Sequence, residues 1–159
     1  MIARSEKKSA RWTSGQRLRR YAPLVGWMIL IFLASTGELS ASNTSRIIRP
    51  LLLWLFPNIS EERIIFTHFL VRKVAHFMEY AVLAALAARA FVGSSHAALR
   101  RAWFFAALLL VVIYSLSDEF HQSFVASRTA SLYDSLIDTA GGLTALVLYT
   151  LWRQRRDEG

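Results

Sequence analysis

The sequence predicts an all-α protein, a polytopic transmembrane helical bundle with about four spans and an additional interfacial segment. The 159-residue chain is 54% hydrophobic yet carries a formal net charge of +8. These two features belong together in a membrane protein, because apolar spans contact lipid while Lys and Arg residues collect in cytoplasmic segments. The positive charge therefore indicates topology rather than nucleic-acid binding, and the lack of cysteine excludes disulfides and a thiolate nucleophile.

The chain begins with a polar, basic segment over residues 1–20 that predicts a cytoplasmic tail. The apolar run at about 21–36 predicts the first span, and it lacks the small-residue cleavage site of a signal peptide. Pro23 near its first turn is compatible with a helix start, where its missing N–H is harmless. Because this run is short for a bilayer, we expect flanking residues to extend the helix.

A polar link then leads into an apolar stretch that Pro50 and Pro57 enclose. This stretch is too short to span, so it predicts an interfacial segment with Trp54 at the level of the lipid headgroups. Ser60, followed by two glutamates, has the residue types of a helix N-terminus. The helix that begins there can continue without interruption to about Phe91.

The remaining apolar runs predict three further spans, at about 71–92, 102–122 and 131–152. They complete a membrane domain over residues 21–152 and leave a basic cytoplasmic tail over 153–159. Four spans put both termini on the same side, where 13 of the 19 Lys and Arg residues then lie. This excess predicts a multi-pass protein of the cell's inner (cytoplasmic) membrane whose two termini lie on the cytoplasmic side.

Polar residues within the last three predicted spans share helix faces, because a helix turns by about 100° per residue. They are Lys73, His76, Glu79 and Tyr80 on the second span, Tyr114, Asp118, His121 and Gln122 on the third, and Asp134, Asp138, Gly141 and Ala145 on the fourth. In the predicted orientation all three faces reach the outer third of the membrane. Ionisable residues at such a depth are costly, so we expect one buried functional site that opens to the outer surface.

The charges constrain this site further. Asp118 and Glu119 lie at a helix C-terminus, where the helix dipole disfavours negative charge. We therefore expect them to be paired with cations, protonated or bound to a metal, and the available cations are Arg72, Lys73 and Arg128. Two consecutive glycines on the last span would allow it to pack closely on a neighbouring helix.

Together these residues resemble the VanZ-like family of small membrane proteins. The family pattern combines a Lys-x-x-His-Phe-x-x-Tyr stretch, an acid pair followed by His-Gln, a loop Arg, and Asp with Asn or Gly on the last helix. The matching residues are Lys73, His76, Phe77, Tyr80, Asp118, Glu119, His121, Gln122, Phe124, Arg128, Asp134 and Gly141. The chain departs from the pattern at Ala126-Ser127, where Pro-Gly is usual, and at Asp138, where Asn is common.

The resemblance covers about residues 24–151 and implies a role at the cell envelope without a defined reaction. The namesake of the family is associated with resistance to the glycopeptide teicoplanin. Of the functions compatible with the polar residues, the first is non-enzymatic binding of a membrane lipid or lipid-linked envelope intermediate, with Arg and Lys holding phosphate. The candidate ligand-binding residues are Lys73, His76, Tyr80, Asp118, Glu119, His121, Gln122, Arg128, Asp134 and Asp138.

The second function is an enzyme acting on a phospholipid or isoprenoid-linked substrate by His acid/base chemistry or through a metal. Its candidate catalytic residues are His76, Glu79, Asp118, Glu119, His121 and Asp134. The sequence requires no cofactor but is compatible with a divalent metal, whose candidate ligands are His76, Glu79, Asp118 and His121. Two alternatives remain, a hydrogen-bonded network that only fixes helix packing and proton or ion transport, which the apolar inner halves of the spans disfavour.

Overall fold

The structure, a computed structural model, describes residues 14–36, 41–125 and 131–158, except for the side chains of 41–45. Helices account for almost all of these residues, and no strand occurs among them, which confirms the all-α prediction. The helices are α1 (Ser14–Ser35), α2 (Ala41–Leu55), α3 (Glu61–Val92), α4 (Ala97–Arg101), α5 (Trp103–Gln122) and α6 (Leu132–Asp157). Four of them, α1, α3, α5 and α6, are long and apolar enough to cross a membrane.

Helix α1 begins seven residues before the predicted span, so part of the predicted tail is helical. Its 22 residues extend about 33 Å, which is enough for a bilayer. Pro23 therefore lies inside α1, and the prediction that it opens the helix is wrong. Tertiary contacts hold the helix where the added turns meet the predicted span, because Arg20 Nη1 donates to the Arg89 carbonyl at 3.2 Å and the Tyr21 hydroxyl lies 3.0 Å from Ser94 Oγ.

Most of the predicted interfacial segment lies in helix α2, which begins earlier, at Ala41, and has Pro50 inside it; its 15 residues are too few to cross a bilayer. Its apolar side chains are largely exposed, with Trp54 at 77%. An ion pair ties it to the start of α3, where Arg49 Nη1 and Nη2 lie 2.9 and 2.5 Å from the Glu61 carboxylate.

Helix α3 is the central element of the bundle, and it packs against α1, α5 and α6. As predicted, it begins after Ser60, whose Oγ accepts a hydrogen bond from the Arg63 amide at 3.4 Å, and it continues unbroken for 32 residues. Several of its small or apolar side chains are completely buried, and together with Tyr80 and Phe91 they form most of the core. These residues are Leu83, Ala84, Ala87, Ala88 and Ala90.

The two glycines of α6 set its distance to two neighbouring helices. A Cβ atom at Gly141 would overlap the Phe77 backbone carbonyl of α3, and one at Gly142 would lie 2.7 Å from Val111 Cγ1 of α5. Both neighbours therefore approach α6 more closely than a side chain would permit. The close packing predicted from the glycine pair is present.

The bundle has two chemically different ends. The basic end joins the start of α1, the end of α3, the start of α5 and the end of α6. Its arginines are Arg17, Arg19, Arg20, Arg89, Arg100, Arg101, Arg153, Arg155 and Arg156. The polar end joins the ends of α1 and α5, the start of α6 and the part of α3 around residues 72–80, and it carries the buried acids.

Candidate functional site

Two cations of α3 face one acid of α6 at the polar end. Lys73 Nζ forms an ion pair with Asp134 Oδ1, and Arg72 Nη2 lies 3.8 Å from Asp134 Oδ2. The Asp134 side chain is 3% exposed, whereas Arg72 and Lys73 keep 27% and 19% of their side-chain surface exposed. The acid is thus buried behind two cations that lie at the boundary of the bundle.

One turn deeper, α3 and α6 contribute a His–Asp pair. His76 Nδ1 lies 3.2 Å from Asp138 Oδ1, and both residues are buried. The other oxygen of Asp138 accepts a hydrogen bond from Ser115 Oγ of α5 at 3.2 Å. Three helices therefore converge on the Asp138 carboxylate, and its orientation is fixed by contacts on both oxygens.

The acid pair of α5 divides its contacts between two neighbours. Asp118 Oδ2 accepts from Gln122 Nε2 at 2.9 Å, and the same nitrogen lies 3.4 Å from Ser35 Oγ at the end of α1. Glu119 Oε2 accepts from the Ser131 amide at 2.6 Å, just before α6 begins. Both carboxylates are buried, and Glu119 Oε1 has no hydrogen-bond partner among the described residues.

Two further candidates lie beside these acids without joining them by hydrogen bonds. The Tyr80 side chain, one turn after His76 on α3, is completely buried, and its hydroxyl has no partner in the described part of the chain. His121 packs against the Phe32 ring of α1 with 4.6 Å between ring centroids. Its Nε2 atom is buried and likewise has no partner within the described ranges.

The buried ligand atoms come together in a way that the sequence did not specify. Among the described residues, His76, Glu119 and Asp138 each offer one ligand atom, and these atoms all lie within 4.8 Å of one another. Of the candidate metal ligands, only His76 belongs to this group, and Glu79, Asp118 and His121 do not. Arg128, the predicted loop cation, lies outside the described residues.

The serines of this site were not among the residues predicted from the sequence. Ser115 precedes Asp118 by three residues and Glu119 by four, so its place on their helix face was readable from the spacing. No comparable signal marks Ser35, which reaches Gln122 only because α1 ends beside α5. The backbone amide of Ser131 has no sequence signature as a donor to Glu119.

Four buried acids face two cations in the described part of the polar end. The acids are Asp118, Glu119, Asp134 and Asp138, and the cations are Arg72 and Lys73. Several polar atoms here are buried without hydrogen-bond partners in the described ranges, and each costs about 1 to 3 kcal/mol when left unpaired. The arrangement can bind a cation near the acids and an anion near Arg72.

One model of a known protein family matches most of the chain. The model of the VanZ/LLP1 family matches residues 21–153, which include α3, α5 and all of the apolar part of α6. No curated protein and no solved structure matches the chain significantly. With most of its length covered by that match, the chain belongs to the VanZ/LLP1 family of membrane proteins.

Proposed function

We propose that this protein binds the phosphate-bearing headgroup of a membrane lipid or lipid-linked envelope intermediate at its polar end. The observation that carries the proposal is the state of Arg72. Its Nε and Nη2 atoms are buried and have no hydrogen-bond partner among the described residues. These two donors form one edge of the guanidinium, the edge that takes two oxygens of a single phosphate.

The surroundings of Arg72 support an anionic ligand at the boundary of the bundle. Asp134 is already neutralised by Lys73, so the more distant Arg72, at 3.8 Å, retains donors for a second partner. With 27% of its side chain exposed, Arg72 needs only a rotation about its long side chain to present both donors to a headgroup. A phosphate gains two charge-assisted hydrogen bonds there, which are stronger than bonds between neutral groups.

The distribution of charge supports an outward-facing polar end in the inner membrane. The basic end carries the arginine excess that is typical of the cytoplasmic side. His76 lies 16 residues before the end of α3, and Glu119 lies 16 residues after the start of α5. This separation corresponds to about 24 Å, most of a hydrocarbon core of about 30 Å. The polar end is then within reach of headgroups in the outer leaflet.

A second candidate function rests on the His–Asp pair. The contact of 3.2 Å between His76 Nδ1 and Asp138 Oδ1, with Ser115 on the other oxygen, resembles the orienting contact of a general base. An enzyme would use His76 to activate water or a hydroxyl against the phosphoryl group of a bound lipid. The family association with teicoplanin resistance points in either case to an envelope substrate.

Native mass spectrometry of the protein released from membranes with its bound lipids tests the proposal. We expect a phospholipid or isoprenoid-phosphate adduct whose retention falls about tenfold in Arg72→Lys, because lysine keeps the charge but loses the two-donor edge. Arg63→Lys is the matched control, since Arg63 is an exposed arginine of the same helix. Equal retention in both variants would overturn headgroup binding by Arg72. Release of a headgroup from added lipid extract would favour the enzyme.

A further inference from the structure

We propose that His76, Glu119 and Asp138 form a binding site for one divalent transition-metal ion, with Zn²⁺ and Mn²⁺ as the best chemical matches. The site lies deeper in the bundle than Arg72 and does not depend on headgroup binding. Its three ligands come from α3, α5 and α6, one from each helix. Metal sites in helical bundles are built in this way, from inward-facing carboxylates and histidines.

The distances between the ligand atoms suit a single ion. His76 Nδ1 and Asp138 Oδ1 are 3.2 Å apart, and the three ligand atoms lie within 4.8 Å of one another. Two atoms that each bind an ion at about 2.1 Å are separated by about 3.0 to 3.4 Å at octahedral or tetrahedral angles. The contact between His76 Nδ1 and Asp138 Oδ1 already has this length, and the spread of at most 4.8 Å among the three ligand atoms requires only a small adjustment of the side chains.

Glu119 also has a carboxylate oxygen that is available to bind a metal ion. Its Oε2 atom accepts from the Ser131 amide, but Oε1 is buried without a partner in the described part of the chain. The residue is only 4% exposed, so solvent does not replace the missing partner at the surface. A buried carboxylate oxygen without a donor is costly, and a cation removes that cost.

The charge balance at the polar end favours a cation of charge two. Lys73 and Arg72 are both directed to Asp134, which leaves Asp138 and Glu119 without a Lys or Arg partner in the described ranges. A divalent ion between these two carboxylates would neutralise them. His76 would join as a neutral ligand through a ring nitrogen.

The ligand types discriminate between metals. One imidazole with two carboxylates suits Zn²⁺, Mn²⁺ or Fe²⁺, whereas Ca²⁺ and Mg²⁺ prefer sites made of oxygen alone. The second shell is also present, because Ser115 Oγ donates to Asp138 Oδ2 and the Ser131 amide donates to Glu119 Oε2. Such contacts hold ligands in place and strengthen metal binding.

The test is metal binding by the full chain, purified without a histidine tag, stripped with chelator and titrated with Zn²⁺ and then Mn²⁺. We expect one ion per chain in the unmodified protein and a loss of affinity of more than about 100-fold in Glu119→Gln. Asp118→Asn is the matched control, because Asp118 is the adjacent buried acid on the same helix and lies outside the group of three. Its affinity should stay within about threefold of that of the unmodified protein.

X-ray absorption at the metal edge supplies an independent readout, with one nitrogen and several oxygen ligands expected at about 2.0 to 2.2 Å. The proposal is overturned if the unmodified chain binds neither ion at micromolar concentrations, whatever the variants do. It is also overturned if Asp118→Asn loses as much affinity as Glu119→Gln while both keep their helical content. Lipid retention is measured separately on the stripped protein, so failure of the metal site leaves the Arg72 result intact.

Discussion

The charged side chains at the basic end and at the polar end of the bundle differ in their exposure and in their contacts. At the basic end most arginines are exposed, and Arg20 and Arg100 donate to backbone carbonyl oxygens, Arg100 to that of Ser94 at 2.8 Å. At the polar end the charged groups contact one another across helices, and Asp134 and Asp138 are buried. The same charged residue types therefore lie mostly at the surface at one end and in a buried cluster at the other.

This difference has an energetic consequence. Exposed charges are solvated and screened, so each contributes little to stability. Buried charges have lost their water, so removal of one partner leaves the other uncompensated. Substitutions at the polar end should accordingly be costly and substitutions at the basic end mild, and three variants measure how far this contrast extends.

The largest effect is expected for Lys73→Met, which removes the closest cation from buried Asp134. We expect the free energy of unfolding to fall by about 3 kcal/mol, the lower range for breaking a buried pair, because Arg72 remains 3.8 Å away. Titration with SDS in mixed micelles, followed by circular dichroism, measures the loss. A second substitution, Asp134→Asn, should restore most of it, because the uncompensated charge is then gone.

Arg49→Met is the control for this variant, because it breaks the Arg49–Glu61 ion pair on the surface, where the side chains are 50% and 64% exposed. Its cost should stay below about 1 kcal/mol. Equal losses in Lys73→Met and Arg49→Met would mean that the buried ion pair of Asp134 contributes no more to the free energy of unfolding than an exposed one.

A smaller effect is expected for Gly141→Ala, which acts through packing rather than charge. The added Cβ would overlap the Phe77 backbone carbonyl, so α6 must move away from α3, and with it the contact of Asp138 with His76 lengthens. We expect a loss of about 2 kcal/mol in the same SDS titration. Gly26→Ala is the control, because a Cβ there meets open space. Because Ala has the higher helix propensity, Gly26→Ala should not lose stability, and a loss as large there would contradict the packing explanation.

Much of the fold was predictable because hydrophobic runs and helix termini are local properties of the sequence. The start of α3 after Ser60 and its unbroken course through the membrane follow from a capping hydroxyl and a long run without Pro or Gly. The start of α1 was not predictable, because contacts with the distant residues Arg89 and Ser94 stabilise its N-terminal part. Local propensity contains no information about such partners.

The candidate site, too, was predictable in part: the faces that residues share on one helix, but not the contacts between helices. Helical spacing alone brings His76 and Tyr80, or Asp118 and Gln122, onto common faces. Which acid pairs with which cation depends on how far each helix is shifted along its neighbour. Gly141 and Gly142 set the distance of α6 from its neighbours in three dimensions, which the sequence does not show. The pairing of Lys73 with Asp134 and of His76 with Asp138 could therefore be seen only in the structure.

The smallest effect is expected for Arg100→Gln at the basic end. Arg100 is exposed and loses one hydrogen bond, to the carbonyl of buried Ser94, so the loss should be about 1 kcal/mol, the usual contribution of a single hydrogen bond. A reporter fused after Trp152 should remain cytoplasmic, because the other eight arginines of this end still exceed the cations at the polar end. A loss of 2 kcal/mol or more would show that the arginines of the basic end are structural, as the charges of the polar end are. An outward reporter in the unmodified chain would reverse the proposed orientation and turn the polar end toward the cytoplasm.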